Sequence, residues 1–206
     1  MGKQIQNIVF DLGGVLIDLD RDACIRAFAE LGFPQADALL DPYRQSGIFL
    51  KLEQGTAVPQ ELYDHIRDET GREIAPEAIH AALSRFLVDL PEYKLDMLRD
   101  LRKRFKVFML SNTNAIMMPY IAEHFFTRQG GTIGDYFDRV FLSYEMKLAK
   151  PDPEIFQAMA REGGFLPGET LVIDDSPANV AAAEALGFRT YLACEHEDFR
   201  SIFNNL

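Results

Sequence analysis

Short apolar runs, each closed by polar or acidic residues, alternate along the chain with longer stretches in which apolar residues return every three or four positions. Ile8-Val9-Phe10, Val107-Phe108-Met109-Leu110, Val140-Phe141-Leu142, Leu171-Val172-Ile173 and Thr190-Tyr191-Leu192 are the short runs. The first two read as buried strands from their continuous apolar character, and the other three read as further strands. Between them, Tyr93 to Lys103 carries Leu95, Leu98 and Leu101, and the stretch after Asn114 carries Ile116, Met117, Ile121 and Phe125. The stretch after Pro153 carries Ile155, Phe156 and Met159, and Ala178 to Leu186 completes the set. All four read as helices with one apolar stripe. Asp152 before Pro153 is an N-cap followed by a first-turn proline, and Ser176-Pro177 repeats the device. Strands alternating with helices predict a parallel sheet of βα units, an α/β protein.

Residues 18–90 break this rhythm. Asp20 to Leu31 predicts a helix stopped by Gly32. A second helical segment spans Gln35 to Leu52, broken near Pro42 and Gly47. A third starts at Val58-Pro59 and runs to Gly71, and a fourth covers Pro76 to Val88. No strand pattern is visible there, and this is more helix than one sheet crossover needs. The division is therefore a core of 1–17 and 91–206 with a helical lobe of 18–90 inserted after the first strand.

Composition narrows the possible partners. The 206 residues carry a formal net charge of -11, which argues against nucleic acid or an anionic membrane surface. No apolar run approaches the roughly 18 residues that span a bilayer. The two cysteines, Cys24 and Cys194, have no CxxC spacing and predict no disulfide framework. Met1-Gly2-Lys3-Gln4 runs almost at once into the first strand, leaving no room for a signal peptide. These readings together place the chain in the cytoplasm.

Candidate chemistry sits at the strand ends. Ile8-Val9-Phe10 stops at Asp11, and Gly13-Gly14 follow, where a missing Cβ lets backbone approach a ligand. Asp11 alone reads equally well as a turn residue. Ser111, Lys150 and the pair Asp174-Asp175 lie at or just past other strand ends or at the start of the following helix. In a parallel sheet these ends share one edge, where ligands bind. A carboxylate, a hydroxyl, an ammonium and a carboxylate pair suit phosphoryl transfer to an aspartate. One acid attacks, others hold Mg²⁺ through hard oxygen ligands, and the donors neutralise phosphoryl oxygens. Ser111 reads also as a helix cap and Lys150 as a solvated lysine. Adjacent buried acids such as Asp174-Asp175, by contrast, are costly without a cation. Phe49, Leu50 and Lys51 are candidates for facing a substrate from the helical lobe.

Four motifs stand in one order: Phe10-Asp11-Leu12-Gly13-Gly14-Val15-Leu16, Ser111-Asn112, Lys150-Pro151-Asp152-Pro153, and Val172-Ile173-Asp174-Asp175-Ser176. Together they resemble the haloacid dehalogenase-like hydrolase superfamily, in particular its sugar-phosphate phosphatases of the glucose-1-phosphatase type. The resemblance implies a Rossmann-like core with a helical cap and a small phosphorylated metabolite, a sugar phosphate, as substrate. It implies Asp11 as nucleophile and Mg²⁺ ligand, with the Gly13 carbonyl and Asp175 as further ligands. Ser111 and the Asn112 backbone then bind the phosphoryl group, and Lys150 pairs with Asp11 and the phosphate. Asp174 is implied as a neighbour of the metal site, and Asn179 stands where many relatives carry another acid. One departure matters. Most phosphatases of the superfamily have a general acid where this chain has Gly13, a loss of the kind worth about 10²–10⁴-fold. Asp18 and Asp20 are substitute acids to weigh against ordinary helix-start residues. A metal-independent 2-haloacid dehalogenase and a catalytically weak binding or regulatory relative remain as alternatives.

Overall fold

A computed structural model describes residues 4–41 and 45–206, so the break expected near Pro42 lies outside the described residues. Strand β1 (Asn7–Phe10) is followed by a tight loop and the two-residue strand β2 (Asp18–Leu19). Five helices come next: α1 (Arg21–Glu30), α2 (Ala36–Leu39), α3 (Gly47–Glu53), α4 (Pro59–Thr70) and α5 (Pro76–Ser84). Strand β3 (Leu87–Asp89) closes this excursion by pairing antiparallel with β2. The remaining order is α6 (Glu92–Leu101), β4 (Lys106–Ser111), α7 (Met117–His124), β5 (Arg139–Leu142), α8 (Ser143–Met146), α9 (Pro153–Gly163), β6 (Thr170–Asp174), α10 (Pro177–Ala185) and β7 (Arg189–Leu192). A 3₁₀ segment, Phe199–Asn205, ends the chain.

The main sheet is parallel, in the order β5-β4-β1-β6-β7. The chain builds outward from β1 through β4 and β5, then returns to the other side of β1 for β6 and β7. The carboxyl end of β1 is therefore the point where the strand order reverses, the place where such sheets form a crevice. Strand alternation sends Ile8 and Phe10 to one face with Val107, Met109 and Ile173. Val9, Phe108, Leu110 and Val172 go to the other. Helix α6 covers the first face with Leu95, Leu98 and Leu101, joined by Phe199 and Phe203 of the tail. Helix α9 covers the second with Ile155, Phe156 and Met159. With both faces covered, the central strands β1, β4 and β6 carry apolar residues at consecutive positions, and this makes them legible as runs.

The excursion has its own core of Cys24, Phe28, Phe33, Phe49, Leu52, Leu62, Ile66 and Ile79, with Ile116 from the start of α7 docked against it. It is a helical cap standing on the β2–β3 ribbon. That ribbon corrects the expectation that residues 18–90 hold no strand, and α5 ends at Ser84 rather than running to Val88. With two and three residues, β2 and β3 are too short for an alternation to show in the sequence. Among the described residues, no helix is long and apolar enough to cross a membrane.

Candidate active site

Three neighbouring strands deliver the expected residues to one crevice. Asp11 follows the last residue of β1, Ser111 ends β4 and Asp174 ends β6. A cavity between cap and sheet is lined by Asp11, Gly13, Ser111, Asn112, Lys150 and Asp175. From the cap side, Phe49 also lines it, whereas Lys51 is exposed and neither Leu50 nor Lys51 lines it.

Lys150 is the electrostatic centre. Its side chain is 2 % exposed, and Nζ lies 2.8 Å from Asp11 Oδ1 and 2.7 Å from Asp174 Oδ2. Burial alone would lower the lysine's pKa, but the two carboxylates outweigh it and hold the pKa above the usual range. The backbone of Lys150 is gripped by the Asn112 side chain. Asn112 Nδ2 donates to the Lys150 carbonyl and Asn112 Oδ1 accepts from the Lys150 N–H, both at 2.9 Å. Asn112 thus ties the end of β4 to the loop that carries the ammonium. Sequence reading gave Asn112 only a backbone role, because a clasp between residues 38 positions apart leaves no local signal.

Ser111 is not the cap of the following helix. Asn114 Oδ1 does that, accepting from the N–H groups of Ile116 and Met117 at 3.0 Å each. The Ser111 hydroxyl is left with a long 3.4 Å contact to the Asn112 carbonyl. Asp174 is engaged at both oxygens instead. Its Oδ1 accepts from the Ser176 N–H at 3.0 Å and from Asn179 Nδ2 at 2.9 Å, while Oδ2 takes Lys150. Asn179 therefore holds Asp174 in place. Asp175, the next residue, points its carboxylate at the loop after β1. A Cβ built on Gly14 would lie 2.1 Å from Asp175 Oδ2, and Gly14 itself has φ +73°, so only glycine fits there. Asp18 and Asp20 are occupied elsewhere. Asp18 lies 3.6 Å from Lys94 Nζ, and Asp20 caps α1 by accepting from the Ala23 N–H at 2.8 Å.

Oxygen atoms of Asp11, Asp174 and Asp175 lie within 4.8 Å of one another. One ammonium faces three acids. Burial first, then Asp174 and Asp175, push the Asp11 carboxyl up to about 7 in spite of Lys150. Burial and Asp174 push Asp175 up to about 6, again against Lys150. The cluster is short of positive charge, and protons or a cation must supply it. A cluster of carboxylate oxygens offers the hard donors that Mg²⁺ takes. Asp11, Asp174 and Asp175 each have a carboxylate oxygen to offer, and Asp174 is the one most engaged by N–H donors. On Asp11, both the Lys150 ammonium and the Leu12 N–H, at 2.6 Å, engage Oδ1. Among the described residues, Oδ2 has no donor.

A parallel α/β sheet with a buried lysine, a carboxylate cluster at the strand-order reversal and a helical cap over it defines a class of capped hydrolases. The chain belongs to the haloacid dehalogenase-like hydrolases, whose family model matches residues 5–187. It is 40% identical to a D-ribitol-5-phosphate phosphatase of Bacteroides thetaiotaomicron over 196 residues, 95% of each chain. It resembles the wild-type crystal structure of a haloacid dehalogenase family enzyme from the same organism, in complex with magnesium and inorganic phosphate. That match has a TM-score of 0.92 and 43% identity, covering 97% of this chain and 100% of the other. A predicted haloacid dehalogenase-like hydrolase from Porphyromonas gingivalis matches with TM-score 0.92 and 38% identity, over 98% of both chains.

Proposed function

We propose that this protein is a Mg²⁺-dependent phosphatase that hydrolyses a small sugar or polyol phosphate through a phosphoryl group carried on Asp11. The observation that carries the reading is the Lys150 ammonium between Asp11 and Asp174, inside a carboxylate cluster that still lacks positive charge. The relative named for D-ribitol 5-phosphate and the structural neighbour holding magnesium and phosphate support the same reading. The functional division we adopt is a core of 1–17 and 91–206 and a cap of 18–90. With Cys24 and Cys194 both free thiols, we assign the protein to the reducing cytoplasm.

In this reading Asp11, the Gly13 carbonyl and Asp175 hold Mg²⁺. Bound there, the ion supplies charge neutralisation to the transferring phosphoryl group. The chain's own groups do the rest. Asp11 Oδ2, which has no donor among the described residues, attacks phosphorus. The Ser111 hydroxyl, the Asn112 N–H and the Lys150 ammonium stabilise the charge on the phosphoryl oxygens, where preorganised donors contribute most. Asp174, fixed by Ser176 and Asn179, holds Lys150 in position. The cap excludes water during transfer. Gln45 also lines this cavity, and its Oε1 is buried without a hydrogen-bond partner among the described residues. An unpaired acceptor of that kind suits a substrate rich in hydroxyl donors.

The test is a panel of sugar phosphates and alditol phosphates, D-ribitol 5-phosphate among them, each assayed with Mg²⁺ and with EDTA. The expected result is turnover with Mg²⁺ and none in EDTA. Turnover of haloacids in EDTA, with the phosphate esters untouched, would replace this reading with metal-free dehalogenation.

Gly14→Ala probes the metal side separately. Its left-handed φ costs a non-glycine residue about 1–2 kcal/mol, and its Cβ displaces the Asp175 carboxylate. Calorimetric titration is expected to show Mg²⁺ affinity lower by about 10–100-fold, the range seen when the support of a metal ligand is lost. Unchanged affinity would remove Asp175 from the ligand set.

A further inference from the structure

Hydrolysis of an alcohol's phosphate ester needs a proton for the departing oxygen, and later a base for the attacking water. Gly13 has no side chain to serve, and a Cβ placed there would already lie 3.0 Å from Leu19 Cδ1. Leu19, from the ribbon under the cap, thus crowds the space that a longer residue at position 13 would enter. Among the described residues, the acids lining the cavity are Asp11, Asp175 and Glu53. The first two are committed to attack and to the metal. Glu53 comes from the opposite wall.

We propose that Glu53, delivered by the cap, is the general acid and base of this site. The assignment rests on the phosphatase reading above. In the first step Glu53 gives its proton to the ester oxygen as the P–O bond to the alcohol breaks and the bond from Asp11 Oδ2 to phosphorus forms. In the second, the Glu53 carboxylate takes a proton from water as the water oxygen bonds to phosphorus and the Asp11–phosphorus linkage breaks. Inorganic phosphate leaves and both residues return to their starting states.

The cap is built to hold this residue over the core. Glu53 is the last residue of α3, whose Phe49 and Leu52 are buried in the cap core and fix the helix's roll. The turn behind it is closed by the Thr56 and Ala57 N–H groups, which both donate to the Lys51 carbonyl. Gly55 in that turn has φ +61°, and a Cβ there would lie 2.0 Å from the Tyr144 carbonyl oxygen. The backbone after Glu53 therefore rests directly on α8 of the core. Burial pushes the Glu53 carboxyl up to about 8, with Lys150 opposing and Asp11 adding to the effect. That direction favours the protonated carboxyl and suits acid–base work near neutral pH.

Glu53→Gln is assayed with Mg²⁺ on the best alcohol phosphate from the panel and on p-nitrophenyl phosphate, whose leaving group needs no proton. The expected result is kcat on the alcohol ester lower by about 10²–10³-fold with KM little changed. On the nitrophenyl ester, one equivalent of nitrophenol appears rapidly, followed by slow turnover as phosphorylated Asp11 accumulates. Formate added to Glu53→Ala is expected to restore part of the rate, which a purely structural defect would not allow. A raised KM with kcat intact and no burst would overturn the proposal and make Glu53 a substrate-binding residue. Loss of the rapid first equivalent without formate rescue, in a folded variant by circular dichroism, would overturn it as well. A wild-type enzyme silent on both esters, or one indifferent to Asp11→Asn, would remove the phosphatase reading and the Glu53 assignment with it.

Discussion

Asp11→Asn is expected to lower turnover by about 10⁴–10⁶-fold, the scale on which loss of a nucleophile acts, while leaving the protein folded. The substitution keeps the shape of the side chain and removes its charge. That charge is disfavoured by the site, since burial and the two other aspartates raise the carboxyl to about 7. A carboxyl raised on folding lowers stability above its folded pKa, and the penalty fades as pH falls through about 7 towards the ordinary value of 3.8. In EDTA, urea unfolding should therefore find Asp11→Asn at least as stable as wild type at pH 8, with the difference shrinking by pH 5. The combination distinguishes a residue kept for chemistry from one kept for stability. A variant that loses activity because it unfolds would contradict it.

Lys150→Met should do the opposite to stability. It leaves Asp11 and Asp174 buried side by side without the ammonium that now lies 2.8 and 2.7 Å from them. Breaking a buried ion pair from one side costs about 3–5 kcal/mol, because the remaining charge is uncompensated. The lysine's raised pKa keeps it charged at every pH below the ordinary lysine range, so the pH dependence of the loss comes from its partner Asp11. The loss should be largest at pH 8, where Asp11 is ionised. It should be smaller at pH 5, where Asp11 takes up a proton. Activity should disappear at both. Urea unfolding at the two pH values reads the first effect and turnover of the panel substrate the second. A variant as stable as wild type at pH 8 would mean that the ammonium does not hold the cluster together.

The residues of this site were legible in the sequence to unequal degrees, for physical reasons. β1, β4, β5 and β6 stood out because burial on both faces forces apolar residues into consecutive positions. Once the strands are parallel, Asp11, Ser111 and Asp175 must gather at one edge, as they do, and Lys150 joins them from the loop before α9. The cap helices showed through their stripes, but β2 and β3 did not, being too short to have a period. The clasp of Asn112 on Lys150, the cap made by Asn114 and the grip of Asn179 on Asp174 depend on distances that only the folded chain sets. Glu53 was hidden for a related reason. The cap candidates named from sequence, Phe49, Leu50 and Lys51, lie on the same short helix, but its roll is fixed by packing of Phe49 and Leu52. Gly55 was the available signal, since a glycine just past a helix marks a turn or a close backbone contact, and here it is both.

The most direct test of the central claim is to quench the Mg²⁺-loaded enzyme in acid during turnover of the panel substrate, digest it and locate the phosphoryl group by mass spectrometry. The account predicts acid-stable, base-labile phosphate on the peptide that contains Asp11, absent when EDTA replaces Mg²⁺ and absent in Asp11→Asn. Turnover with no phosphoenzyme, or phosphate on another residue, would contradict it.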